Sequence, residues 1–104
     1  MERIDFEDIH IEVANFDALE PMAWDEAMKW ANGLGDGWRL PTNDELYLMY
    51  IARVRIGGFA SAYYWSSSDL NYSNAWYMGF ASGDQNYHSK YFNARVRAVR
   101  DVAP

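Results

Sequence analysis

The chain has no cysteine, and among its 104 residues there are only three prolines and two histidines. Without thiols, zinc–thiolate sites, cysteine nucleophiles and disulfide staples are all excluded. Positive charge is also scarce: nine Lys and Arg stand against fifteen Asp and Glu, a net charge of −6. That balance argues against nucleic acid as a partner, because phosphate binding needs clustered Lys and Arg. No apolar run has the length of a bilayer span or a signal peptide. Membrane insertion is therefore not expected. As given, the chain reads as made and kept in the cytosol, unless it leaves by lysis, as part of a virion or through a dedicated secretion route.

Rings are what the sequence has in excess. Half the residues are apolar and 17% are aromatic, which implies a ring-filled interior or an aromatic binding face. The length suits a single domain over residues 1–104 with one core and no staples.

Local patterns divide the chain. Ile9, Ile11 and Val13 alternate with His10 and Glu12, the period of a half-buried strand. After Pro21, the residues Trp24, Ala27, Met28, Ala31 and Leu34 recur at helical spacing, until Gly33, Gly35 and Gly37 stop the helix. In "RLPTNDEL", Thr42 and Glu45 form a capping box, with Pro41 and Leu46 at the staple positions of a second helix. That helix carries Leu46, Met49, Tyr50 and Arg53 on one face and ends at Gly57-Gly58. From residue 59 the period becomes two. Trp76, Met78 and Phe80 face one way and Tyr77 the other, and Gly83-Asp84 has turn chemistry. Phe92, Ala94, Val96 and Ala98 then alternate with Asn93, Arg95 and Arg97. The order of strand, helix, helix and antiparallel β-rich half makes an α+β domain.

Three segments together resemble a known family. "AWDEAMKWANGLGDGWRLPTNDELYLM", "YWSSS" followed by "AWYMGF", and the terminal "RVRAVR" look like the C-type-lectin-like domain that ends a bacterial collagen-like adhesin. The "WRLPT" helix start is also similar to that of the formylglycine-generating enzyme branch of the same superfold. The resemblance runs from about residue 22 to 100. It implies a C-type-lectin-like fold, with two helices flanking a small, mostly antiparallel sheet and the N- and C-terminal strands paired. Many relatives carry cysteines at the positions matching Ala31 and Ala98, so it also implies that these two side chains lie close together. The Asn-, Tyr- and Ser-rich stretch before "RVRAVR" is similar to the variable proteins of diversity-generating retroelements.

The stretch "YYWSSSDLNYSNAWYMGF" (residues 63–80) mixes architecture with candidate binding chemistry. Trp65, Trp76 and Phe80 read as core, and Ser66 to Ser68 as hydroxyls that satisfy backbone groups at a strand end. The binding candidates are Tyr63, Asn71, Tyr72, Asn74 and Tyr77, joined by Asp84, Gln85, Asn86, Tyr87 and His88. Lys90, Tyr91 and Asn93 complete the set. Most of these fall in the loop before the central strand and the loop before the last one, which the C-type-lectin-like fold would place on one face. Tyr supplies a stiff flat surface and Asn a paired donor and acceptor, a mixture that suits a glycan or a protein receptor. The bland reading is a solvated loop with turn-forming Asn.

Sugar-binding C-type lectins use an "EPN" or "QPD" loop and a "WND" strand for calcium, and this chain has neither. Asp69 and Asp84 offer oxygens without a binding spacing, so no metal or other cofactor is expected. His10 and His88 have no nucleophile or carboxylate at a recognisable spacing, and the carboxylates Asp25, Glu26, Asp44 and Glu45 sit in first helical turns, where they favour the dipole. An enzyme is not expected. Arg95, Arg97 and Arg100 read as ion-paired across the sheet rather than as an anion-binding row. The function these features suggest is non-enzymatic recognition of a glycan or a protein receptor, without a metal and open to multivalent display. The alternative is a structural or assembly protein using the same face, and self-association would cover rings that are costly to leave wet.

Overall fold

The terminal strands meet, as the alternation at Ile9, Ile11 and Val13 required. The computed structural model describes residues 2–104. In it β1 (Glu2–Phe6) and β2 (Ile9–Val13) form a hairpin, and β6 (Val99–Asp101) pairs antiparallel with β2. Val13 lies opposite Val99. The alternation points to Phe92, Ala94, Val96 and Ala98 as the partners of Ile9, Ile11 and Val13, and of these the last three lie one step earlier. Their carbonyls accept hydrogen bonds from the backbone N–H groups of Met22, Ala18 and Ala14, at 2.8–2.9 Å. Residues 94–98 are thus a strap bonded to the segment entering the first helix, not a regular strand.

Helix α1 (Trp24–Asn32) and helix α2 (Asn43–Ile51) form where the apolar spacing and the capping box place them. A single turn, α3 (Arg53–Ile56), continues α2 before Gly57 and Gly58, both at positive φ, turn the chain. The box is complete: Thr42 Oγ1 accepts from the Glu45 N–H at 3.2 Å, and Glu45 Oε1 accepts from the Thr42 N–H at 2.8 Å. Buried Glu45 has a second task. Arg39 donates to both its oxygens at 2.7 and 2.8 Å and to Asp101 at 2.9 Å, tying the start of α2 to the final strand. This accounts physically for the spacing of Arg39, Thr42 and Glu45.

The second half forms its own three-stranded sheet, β3 (Tyr63–Asp69), β4 (Asn74–Gly79) and β5 (Gln85–Ser89), so there are two small sheets rather than one. The β3–β4 hairpin lies between the helices. Trp65, Ala75 and Tyr77 join Ala27 and Ala31 of α1 in one buried cluster. Tyr64, Met78 and Phe80 join Leu46 and Met49 of α2, with Val13 and Val99, in another. Ala31 and Ala98 share the first cluster, both without solvent exposure. Two indoles lock the hairpin down: Trp65 Nε1 donates to the Met22 carbonyl at 2.9 Å, and Trp24 Nε1 to the Ser66 carbonyl at 2.8 Å.

Sandwiching buries β4 on both faces except beside the edge strand, and two expectations are corrected. Tyr77, offered as a binding residue, is 7% exposed and stacks on Tyr63 at 4.4 Å. Trp76, offered as core, is only half-buried, against Tyr87 of the edge strand. The serines behave as their hydroxyl chemistry suggests. Ser66 Oγ donates to the Trp76 carbonyl at 2.8 Å, and Ser68 Oγ accepts from the Asn43 N–H at 3.0 Å. Arg97 and Arg100 are ion-paired with Asp17 and Glu12, whereas Arg95 makes no ion pair among the described residues.

Candidate functional site

Residues Gln85 to His88 belong to strand β5, not to a loop, and a strand sends neighbours to opposite sides. Tyr87 packs edge-on against Trp76 at 5.6 Å, while His88 lies 4.4 Å from Phe92 and 5.7 Å from Tyr77. The predicted set is therefore divided between two faces of the sheet. Gln85 reaches back to α2, its Nε2 donating to the Asn43 carbonyl at 2.9 Å. Asn86 Oδ1 accepts from the Tyr87 N–H, and exposed Asp84 sits in the β4–β5 turn, where its carbonyl accepts from the Gly79 N–H. Tyr63, Asn93 and Arg95 border a small recess of about 220 Å³ near Phe92.

One subset does converge. At the β3–β4 turn, Asn71 Oδ1 accepts from the backbone N–H groups of Ser73 and Asn74, both at 2.9 Å, and from the Asn74 side-chain amide at 3.2 Å. Both asparagines thus build the turn instead of facing a ligand. The turn holds Tyr72 up at 97% exposure. Beside it, the Lys90 N–H donates to the Ser73 carbonyl at 2.8 Å, and the Lys90 carbonyl accepts from the Trp24 N–H at 2.9 Å. These two bonds fasten the strand exit to both the hairpin and the start of α1, and Tyr91 follows at 92% exposure.

Tyr72, Tyr91 and Lys90 line a groove of about 450 Å³ whose other wall carries Asp25 and Glu26. The Lys90 ammonium is already engaged, 2.9 Å from Asp69 and 4.5 Å above the Trp24 ring. Among the described residues neither Asp25 nor Glu26 makes an ion pair. The groove offers two flat phenols, their hydroxyls and two carboxylate acceptors, with no uncommitted cation. Such a surface can cover an apolar ring face and accept hydrogen bonds at its edge.

Sequence reading missed the α1 wall. Asp25 and Glu26 satisfy the helix dipole, and nothing within α1 signals that the β3–β4 turn comes to rest beside them. Among the described residues no three His, Asp or Glu side chains gather as metal ligands. The two histidines stand apart: His10 Nδ1 is 2.7 Å from Asp5 in the β1–β2 hairpin, while His88 lies among the rings of the other sheet. The model of one family, described as the Lcl C-terminal domain, matches residues 10–100. No curated protein matches the chain.

Proposed function

The chain belongs to the Lcl C-terminal domain family, and on that premise we propose that it is a non-enzymatic, C-type-lectin-like recognition module that binds a glycan in the groove between Tyr72 and Tyr91. The observation that carries the proposal is that these two rings are almost fully exposed, at 97% and 92%, on a tightly bonded backbone. A backbone already fixed by hydrogen bonds has less freedom to lose when a ligand covers the rings that it carries, so binding is opposed by less ordering entropy. Sugar rings present apolar faces that match phenols, and hydroxyls that match Asp25 and Glu26. With Lys90 neutralised by Asp69, an anionic sugar fits this groove poorly. Variation among retroelement- or phage-encoded relatives would be concentrated at the groove.

The test is a glycan array probed with and without calcium, beside a Tyr72→Ala/Tyr91→Ala variant that keeps the parent's unfolding midpoint. Selective binding by the parent and its loss in the variant support the reading. Binding that survives in the variant removes the site from this groove. Silence across the array transfers the groove to a protein receptor, to be sought by the same variant pair in a pull-down.

A further inference from the structure

Helix α2 is apolar on more sides than its core requires. In "NDELYLMYI", Leu46 and Met49 are buried, yet Tyr47 and Ile51 remain 47% and 59% exposed. An ordinary surface helix keeps one apolar stripe and a polar back. Here the back of α2 faces the tip of the β1–β2 hairpin, where Phe6 is half exposed and Ile9 partly so. Together Phe6, Ile9, Tyr47, Leu48 and Ile51 line an open groove of about 490 Å³. Contiguous exposed apolar surface of this kind marks an interaction site more often than scattered single residues do.

The rim identifies the occupant. Glu7, Asp8 and Asp44 border the groove, and its lining contains no Lys or Arg. Among the described residues none of the three carboxylates is ion-paired. A second copy docking face to face would bring both sets of carboxylates into one interface with no Lys or Arg of the lining to balance them. We propose that this groove docks a cationic amphipathic helix of a partner protein, its apolar stripe against Tyr47, Leu48 and Ile51 and its Lys or Arg residues against Glu7, Asp8 and Asp44. The mode is that of an amphipathic helix laid in an apolar groove. The chain's net charge of −6 steers such a segment inward. This surface is independent of the Tyr72–Tyr91 groove.

The test titrates the isotopically labelled protein with a synthetic helix-forming peptide of leucine and lysine, about 18 residues long so that it spans several turns. A matched peptide with glutamate for lysine is the control. The lysine peptide should shift the amide signals of Phe6, Tyr47, Leu48 and Ile51. Its affinity should fall about tenfold in an Asp8→Asn/Asp44→Asn variant, and again at high salt, as expected for charge-assisted docking. An Ile51→Ser variant, altered at an exposed position, should keep its melting temperature and lose binding. Equal binding of the glutamate peptide overturns the proposal, as do shifts centred elsewhere or no shift with either peptide. Concentration-dependent shifts of the same signals without peptide would make a second copy the occupant and overturn it too.

Discussion

Strands β4 and β5 lie side by side and draw on the same residues, Asn, Tyr and a large ring or two, yet they do opposite work. In β4, Tyr77 is buried between Tyr63, Trp65 and Phe92; in β5, one strand over, Tyr87 is half exposed against Trp76 alone. Composition does not separate them. Their places in the sheet do: β4 has helix-backed clusters on both faces, whereas β5 is an edge with a single strand neighbour. An aromatic, Asn-rich sequence thus becomes core where it is sandwiched and surface where it is not.

The comparison is sharpest if interior and edge substitutions differ by several kcal/mol. Trp65→Ala removes the largest fully buried side chain and its bond to the Met22 carbonyl. It should cost about 4 kcal/mol in urea unfolding, whereas Tyr87→Ala should cost less than about 1 kcal/mol. Equal costs would break the distinction. Asp17→Ala comes next. It strands the fully buried Arg97 guanidinium and removes the acceptor of the Tyr64 hydroxyl, so a loss of about 3 kcal/mol is expected. Among the described residues Arg97 Nη2 already lacks a partner, and an added Cβ at Gly58 would approach it to 3.1 Å.

High pH probes the same interior more gently. Burial, and next the hydrogen bond to Asp17, raises the Tyr64 phenol above its ordinary pKa; burial, and then Tyr63, raises that of Tyr77. A raised folded-state pKa means that the unfolded chain releases the proton first. The stabilisation is whole below about pH 10 and declines as pH climbs through the folded values. Unfolding midpoints measured across that range should fall, and fall less steeply in Tyr64→Phe. The smallest effect belongs to the exposed β1 edge. Hydrogen bonds from Arg3, and then His10, hold the Asp5 carboxyl at about 2, against 3.8 ordinarily. That depressed value contributes stability above about pH 4 that disappears as pH falls toward 2. Carbon-detected titration should locate the midpoint, and Arg3→Ala should raise it. A midpoint unmoved by that change would show that Arg3 does not engage the carboxylate in solution.

Much of the architecture was legible because its causes are local. The Thr42–Glu45 box, the apolar spacing of α1, the glycine stops and the serine hydroxyls act within a few residues or through the strand period. The α+β order followed from them. The candidate site was legible only as an inventory. Residue type points to Tyr72, Lys90 and Tyr91, but equally to Asn71 and Asn74, which build a turn, and to Tyr77, which is core. The chain alone could not separate a ring that supports the sheet from one that stands above it, since both are tyrosines beside asparagine.

What the sequence determined by itself is therefore the starts of the two main helices, the alternation of β2 and β4 and the α+β order, together with the exclusion of thiol chemistry. Capping, periodicity and composition are properties of neighbouring residues. Tertiary structure alone decided that β4 is buried on both faces, that β5 is an edge, and that Asp25 and Glu26 confront Tyr72 and Tyr91 across a groove. Each of these depends on segments some tens of residues apart arriving at one place. Their contact is set by how two sheets and the helices share a core, and no local pattern records it.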